Sequence, residues 1–193
     1  MRLSEALLYL RRPAQRLLDV STGPGQILDA VSQLNPALAE RLIGVEPFPP
    51  PEAHRTKHPN YQIGFVSDLQ GTFDGGLCVE VIEHLWPDTL RALIADLAKV
   101  SNDQALYLFN SAQPSFVKNV YPEYMSPHRL GHVVSYSIAA VHSIFAESGF
   151  EVHALPGRDW AFLAEFKGAP QTGDDLMTRV WTPLAENVAL MKS

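Results

Sequence analysis

The sequence predicts an α/β protein, a doubly wound and mostly parallel sheet with helices on both faces, because strand-like and helix-like runs alternate through its first 150 residues. Two further observations agree. A glycine turn at Gly23 and Gly25 empties a buried strand into a helix, and the short joint Pro156-Gly157 makes the last two strand runs an antiparallel pair. With 193 residues, 46% of them hydrophobic, the expected organisation is one domain (1–193) with a sizeable core.

Each element follows from local pattern. A helix is expected over residues 1–12. Residues 16–21 form the first strand, and residues 26–34 a helix with Ile27, Val31 and Leu34 on its core face. Residues 41–46 are the second strand, stopped by prolines 47 and 49–51, which supply no ladder donors, so that 47–60 is loop. Residues 61–66 and 73–79 are the third and fourth strands. The helix over 87–100 has Pro87 and Asp88 in its first turn and a stripe of Leu90, Leu93, Ile94 and Leu97. Asn102-Asp103 turns into a fifth strand at 105–109. Residues 110–131 have no period and carry Pro114, Pro122 and Pro127; a loop of that length in a compact domain points to function. A helix over 137–148, stopped by Gly149, leads to strands at 150–155 and 160–166. A helical tail is expected on both sides of Pro183, over 174–193.

Charge and composition exclude several classes. The net charge is −6, and the only basic cluster is Arg11, Arg12 and Arg16, too small a face for a phosphate backbone. No apolar run approaches a membrane span, and the first twelve residues carry Glu5 and three arginines where a signal peptide needs an apolar core. The lone Cys78 lies in an apolar run and reads as a buried structural thiol. A reducing, cytoplasmic setting is expected, without nucleic-acid or membrane partners. Trp86, Trp160 and Trp181 are expected in the core or at an interface, and the tail is the candidate surface for homo-oligomers.

The informative constellation is Leu17-Leu-Asp-Val-Ser-Thr-Gly-Pro-Gly-Gln26, a strand, a glycine turn and a helix start, where open α/β sheets bind ligands. A dinucleotide fingerprint needs a small third residue, and Leu28 stands there, which argues against a nicotinamide oxidoreductase. Glu46, at the end of the second strand, is placed to accept hydrogen bonds from paired ribose hydroxyls.

Asp19-Val-Ser-Thr-Gly-Pro-Gly25, Gly44-Val-Glu46, Ser67-Asp68-Leu69, Phe73-Asp74 and above all Glu80-Val-Ile-Glu-His-Leu85 resemble the class I S-adenosylmethionine-dependent methyltransferases, of the type 11 and type 23 kind. Gly131-His-Val-Val-Ser-Tyr136 and Ala146-Glu-Ser-Gly-Phe-Glu-Val152 extend the similarity over about residues 15–167. The resemblance implies a seven-stranded Rossmann-like sheet with an antiparallel last strand and S-adenosyl-L-methionine laid across the first four strand ends. Asp19 and the backbone of Ser21, Thr22, Gly23 and Gly25 would line the methionine part, and Glu46 with the adjoining Pro47 the ribose. Ser67, Asp68 and Leu69 would meet the adenine, and Glu80, Val81 and Ile82 the cofactor's other side. The chain departs from the family at Ser21, where glycine is usual, at Thr22, and at Ser101-Asn102-Asp103, which replaces a Pro-Gly-Gly turn.

The expected activity is methyl transfer to a small-molecule or glycan acceptor, on oxygen; the alternative is a module of the same fold that binds the cofactor without turnover. A hydroxyl acceptor needs a base, and His84 and His132 are the candidates, ahead of His128. Glu80, Glu83 and His84 are spaced to share one face of a helical turn, and His132 could complete a carboxylate and imidazole set. That arrangement resembles the metal site of small-RNA 2'-O-methyltransferases. Many relatives carry the string without metal and the acidic chain lacks an RNA-binding face, so no metal is expected.

Overall fold

A computed structural model describes residues 2–167 and 176–192. In chain order they form α1 (Arg2–Tyr9), β1 (Leu17–Val20), α2 (Gln26–Leu34), α3 (Pro36–Ala39), β2 (Leu42–Glu46), β3 (Tyr61–Ile63), β4 (Phe73–Val79), α4 (Pro87–Lys99) and β5 (Ser101–Asn110). Then come α5 (Pro114–Asn119), α6 (Pro127–Leu130), α7 (Ile138–Ala146), β6 (Phe150–Ala154), β7 (Ala161–Phe166), α8 (Leu176–Arg179) and α9 (Ala185–Lys192). The seven strands make one sheet in the order β3-β2-β1-β4-β5-β7-β6. β1 to β5 pair parallel, whereas β7 runs antiparallel to both β5 and β6.

Alternation along the central strands builds two cores. Leu18, Val20, Cys78, Tyr107, Phe109 and Phe162 face the side covered by α4 and α7. Leu17, Leu77, Leu106, Leu108 and Leu163 face the side covered by α1, α8 and α9. The central strands approach closely at Gly75 and Gly76, where an added Cβ would strike the carbonyl oxygens of Leu106 and Leu18. Buried Asp74 gathers the segment entering β1: its carboxylate accepts from the backbone N–H of Gln15 and Arg16 and from Asn102, and pairs with Arg12 at 2.6 Å. Arg16 stacks on Phe73, so Arg12 and Arg16 of the basic cluster serve the fold.

Several expectations are corrected. The third strand ends at Ile63; Gly64 follows, and a 3-10 turn over Val66–Asp68 is closed by the Asp68 carboxylate accepting from the Phe65 N–H. β5 begins at Ser101, and Asn102-Asp103 belongs to a bulge within it, marked by a register jump between Phe73 and Gly75 and by Gln104 at φ 65°. The segment 110–131 is no featureless loop: Pro114, Pro122 and Pro127 each open a short helical turn. Proline breaks helices from inside but starts them at the first position, so the residues that interrupt the sequence pattern open these turns. On α2 the fully buried residue is Leu28, and Leu34 is 84% exposed. Helix α1 is shorter than residues 1–12, ending at Tyr9.

The tail packs on its own chain. Arg179 grips buried Glu165 with two hydrogen bonds, at 2.6 and 3.0 Å, and buried Asn187 accepts from the Ala14 N–H and donates to the Arg12 carbonyl. Residues 174, 175 and 193 of the expected tail lie outside the described residues. Trp86 and Trp181 are exposed rather than in the core. No helix among the described residues is long and apolar enough to cross a membrane.

The β1–β4 contact is a sharp test of this packing. Gly76→Ala is expected to cost more than about 3 kcal/mol, a fall in Tm of about 6–12 °C. Gly157→Ala, whose Cβ meets nothing within 4 Å, should cost only about 1 kcal/mol for its left-handed backbone. Thermal unfolding of the two variants checks it, and equal losses would refute the close-approach argument.

Candidate active site

The carboxyl ends of β1, β2 and β4, with the exposed side of α4, enclose a cleft of about 490 Å³. That volume suits a small-molecule ligand. Glu46, at the last position of β2, forms one wall: its Oε2 accepts from the Gly23 N–H at 2.7 Å and its Oε1 from the Phe48 N–H at 2.9 Å. One carboxylate thus fixes both the glycine turn after β1 and the turn after β2, and each oxygen keeps a lone pair for a ligand. Two non-glycine residues facing the cleft are left-handed, Ser21 at φ 54° and Glu80 at φ 53°. Such backbone costs about 1–2 kcal/mol per residue and concentrates at functional sites.

Of the residues singled out in the sequence, Ser21, Gly23, Glu46, Pro47, Glu80, Val81 and His84 line the cleft together. Asp19, Thr22 and Gly25 sit behind its wall: Asp19 is buried and accepts a hydrogen bond from the Thr22 hydroxyl. Ser67, Asp68, Leu69 and Ile82 do not line it; Phe65 and Val66 occupy the side expected of the first three. Phe48, Phe65, Leu85, Thr89, Ala92, Leu93 and Asp96 complete the lining and were not foreseen there. Phe48 and Phe65 meet edge to face, ring centroids 6.0 Å apart, at 79% and 54% exposure. A phenylalanine amid prolines just past a strand end was the one available signal.

Beyond the cleft, Glu80 is held by its neighbours. The Asn110 amide donates to Oε1 and the Tyr124 hydroxyl to Oε2, at 3.1 Å for the latter, while the Ala112 N–H donates to the Tyr124 oxygen. Burial, and then adjacent Glu83, raise the Glu80 pKa. Glu83 is fully buried, and neither of its oxygens receives a hydrogen bond among the described residues. The two histidines share one geometry. His84 Nδ1 lies 3.1 Å from the Gly131 carbonyl and His132 Nδ1 lies 2.7 Å from the Tyr124 carbonyl. A carbonyl only accepts, so both Nδ1 atoms carry a proton, and the neutral form of each ring has its lone pair on Nε2. The rings meet edge to face at 4.8 Å, and His132 Nε2 stands 3.8 Å from Glu83 Oε1. Burial lowers the His132 pKa, against the opposing pull of the Tyr124 carbonyl.

Glu83, His84 and His132 offer donor atoms all within 4.8 Å of one another. The expected shared helical face is not how this comes about: only Ile82–His84 is a 3-10 turn, and Glu80 precedes it with its oxygens already engaged. Backbone N–H groups of Val133 and Val134, donating to the Glu83 carbonyl, bring His132 to the other two.

Burial holds the Asp19 pKa up at about 7, helped by the charge of Glu46 and opposed by the Thr22 hydroxyl. A carboxyl raised on folding stabilises fully below its unfolded value near 4, and that stabilisation is lost as pH climbs through the folded value. Wild-type protein should therefore lose stability between pH 4 and pH 7 to 8, by on the order of 4 kcal/mol from this group. Asp19→Asn keeps an acceptor for Thr22 and should flatten that dependence; unfolding curves at pH 5 and pH 8 decide it, and parallel losses in both proteins would contradict it.

The methyltransferase-domain family matches residues 1–155. No curated protein matches the chain by sequence. Among solved structures it is similar to a sugar N-methyltransferase from Streptoalloteichus sp. ATCC 53650, at 14% identity and TM-score 0.62 over 86% of this chain and 85% of that one. It is similar as well to an amino pentose methyltransferase of calicheamicin biosynthesis from Micromonospora echinaspora, at 15% identity and TM-score 0.60 over 84% and 87%. A third is a Nostoc punctiforme PCC 73102 protein described as a candidate O-methyltransferase, at 19% identity and TM-score 0.61. The match covers 83% of this chain and spans only 54% of that protein's length. With most of its length matched and the seven-stranded sheet in place, the chain belongs to the methyltransferase-domain family, within the class I S-adenosylmethionine-dependent methyltransferases.

Proposed function

We propose that the protein methylates a small-molecule or glycan acceptor on oxygen, with Glu46 holding the cofactor's ribose and His84 or His132 taking the acceptor's proton. The observation that carries this is the pair of imidazoles whose Nδ1 protons are fixed on backbone carbonyls: His84 lines the cleft itself, while His132 is buried behind it with its Nε2 3.8 Å from Glu83 Oε1. The cofactor fits the charge of its site: Glu46, Glu80 and Asp96 line the cleft, and among the described residues no lysine or arginine does. When bound, S-adenosylmethionine supplies a methyl on a positively charged sulfur, already activated for displacement.

The chain's own residues supply alignment and proton removal. Glu46 keeps one lone pair on each oxygen for the two ribose hydroxyls while bracing the turns after β1 and β2. Phe48, Phe65 and Val66 offer an apolar slot for the adenine, in place of the Ser67, Asp68 and Leu69 expected from the motif. Glu80, steered by Asn110 and Tyr124, fixes the wall between cofactor and acceptor. An imidazole Nε2 receives the hydroxyl proton as the new bond forms, and its Nδ1 proton stays on the backbone carbonyl.

Glu46→Gln retains the size and one acceptor, and should weaken binding of S-adenosylhomocysteine at least about tenfold, since charged acceptors add roughly 1.5–3 kcal/mol per hydrogen bond. Calorimetry measures it; an unchanged affinity would remove Glu46 from the ribose.

A second reading is favoured by the donorless oxygens of Glu83: the set of Glu83, His84 and His132 would suit a divalent cation, with each Nδ1 donating to a carbonyl as ligating histidines do. One experiment separates the two. Release of S-adenosylhomocysteine would be followed with pooled hydroxyl acceptors, for His84→Ala and His132→Ala, with and without a strong chelator. A histidine base predicts a loss of roughly 10²- to 10⁴-fold in one variant and no chelator effect. Chelator-sensitive turnover, with Tm raised by added Mn²⁺ only in wild type, would instead favour the cation. Two folded variants with near wild-type turnover would sink the base.

A further inference from the structure

A second cavity, of about 650 Å³, lies between α1 and α2 and shares no lining residue with the cofactor cleft. Its walls are made by the face of α2 that the sequence assigned to the core: Ile27 and Val31 are only partly buried, Leu34 is exposed, and Leu77 of β4 forms the floor. At one end two guanidinium groups share the Trp160 ring, Arg2 at 3.8 Å from its centroid and Arg158 at 5.5 Å. Arg158 pairs with Glu5, while Arg2 forms no ion pair among the described residues. Two cations therefore meet one carboxylate. Their mutual repulsion adds to burial in lowering the Arg2 pKa.

This charged end sits beside the reaction side of the cleft. Ala161 is in register with Asn110, whose amide donates to Glu80, and the Trp160 carbonyl accepts from the Ser111 N–H. Trp160 is thus about two strand spacings, roughly 10 Å, from Glu80. Arg2 is close enough to Glu80 for that carboxylate to oppose the lowering of its pKa.

We propose that this groove binds the methyl acceptor and that the acceptor is an amphipathic acid, its anionic head at Arg2, Arg158 and Trp160 and its apolar body between α1 and α2. The proposal rests on the methyltransferase reading of the adjoining cleft and narrows its acceptor class. An anion satisfies the Arg2 guanidinium, which has no ion pair among the described residues, a planar or branched head stacks on the indole, and the tail covers a face that is apolar yet open among those residues. A neutral sugar would leave both the charge and the apolar face uncompensated. A cation would be repelled by Arg2 and Arg158.

The test is calorimetry at saturating S-adenosylhomocysteine with octanoate, octanol and octylamine, three probes of one tail and different heads. Octanoate is expected to bind at least about tenfold more tightly than the other two. Arg2→Met should erase that preference while leaving the affinity for S-adenosylhomocysteine unchanged. Ala30→Phe, on the open face of α2, should weaken octanoate but not acetate. Equal affinity for the three probes, no octanoate binding at millimolar concentration, or a preference that survives Arg2→Met would overturn the proposal. So would an Arg2→Met variant whose loss falls on S-adenosylhomocysteine, because Arg2 would then serve the cofactor. If wild-type protein bound octanoate but not S-adenosylhomocysteine, the failure would lie with the methyltransferase reading and take the acceptor role with it, leaving the groove's chemistry standing.

Discussion

Four carboxylates crowd one edge of this sheet, Asp19, Glu46, Glu80 and Glu83; among the described residues the first three are held by neutral donors (backbone N–H groups, a threonine hydroxyl, an amide and a phenol), and Glu83 by none. In a low-dielectric interior their charges act on one another at range. Glu46 raises Asp19, Glu83 raises Glu80, and Glu83 together with Asp19 pushes the buried Cys78 thiol up beyond what burial alone does. Such an edge is costly while empty and favourable to a cation. The rest of the site follows: the ligand that relieves it should carry positive charge, as a sulfonium does, or be a metal ion at Glu83.

Holding those charges in place requires rigid strand ends, and the sequence meets that requirement far from the cleft. Gly75 and Gly76 let β4 lie against β1 and β5 with no side chain between the backbones. Asp74 ties the segment before β1 to the start of β4 and to the bulge of β5, so three strands share one anchor at the edge opposite the cleft. With the strands fixed at that end, the positions of Ser21, Glu46 and Glu80 at the other are determined by strand length. The left-handed backbone at Ser21 and Glu80 is sustained only because this scaffold over-determines it.

The parts legible in the sequence were those governed by period and by short motifs. Strand alternation located the sheet, and the position of Glu46 at the end of β2, in the cleft wall, was legible because a strand end and a carboxylate coincide in one residue. What escaped depends on tertiary context. The three prolines of segment 110–131 read as breakers because their position within a turn is invisible until the turn exists. Phe65 and Val66 entered the cleft in place of Ser67, Asp68 and Leu69 because Asp68 turned back to cap its own backbone, ending β3 early. Leu34 carried the right spacing for a core residue, but among the described residues nothing buries its side chain, which is 84% exposed. Periodicity reports which side chains share a face and is silent about what covers it.

His132 shows how the segment after β5 becomes part of the site without any strong local structure of its own. Its Nδ1 proton is taken by the Tyr124 carbonyl, Tyr124 in turn reaches Glu80 with its hydroxyl, and the next two residues donate to the Glu83 carbonyl. The segment is therefore fastened to the end of β4 by polar bonds at a few points, whereas the helices flanking the sheet are held by apolar burial. Polar fastening of this kind is worth about 1 kcal/mol per bond and depends on the charge state of its acceptors, while burial does not. Any ligand that alters the charge around Glu80 and Glu83 changes the strength of those fastenings, so the segment after β5 and the acidic edge are linked, and what binds at one adjusts the other.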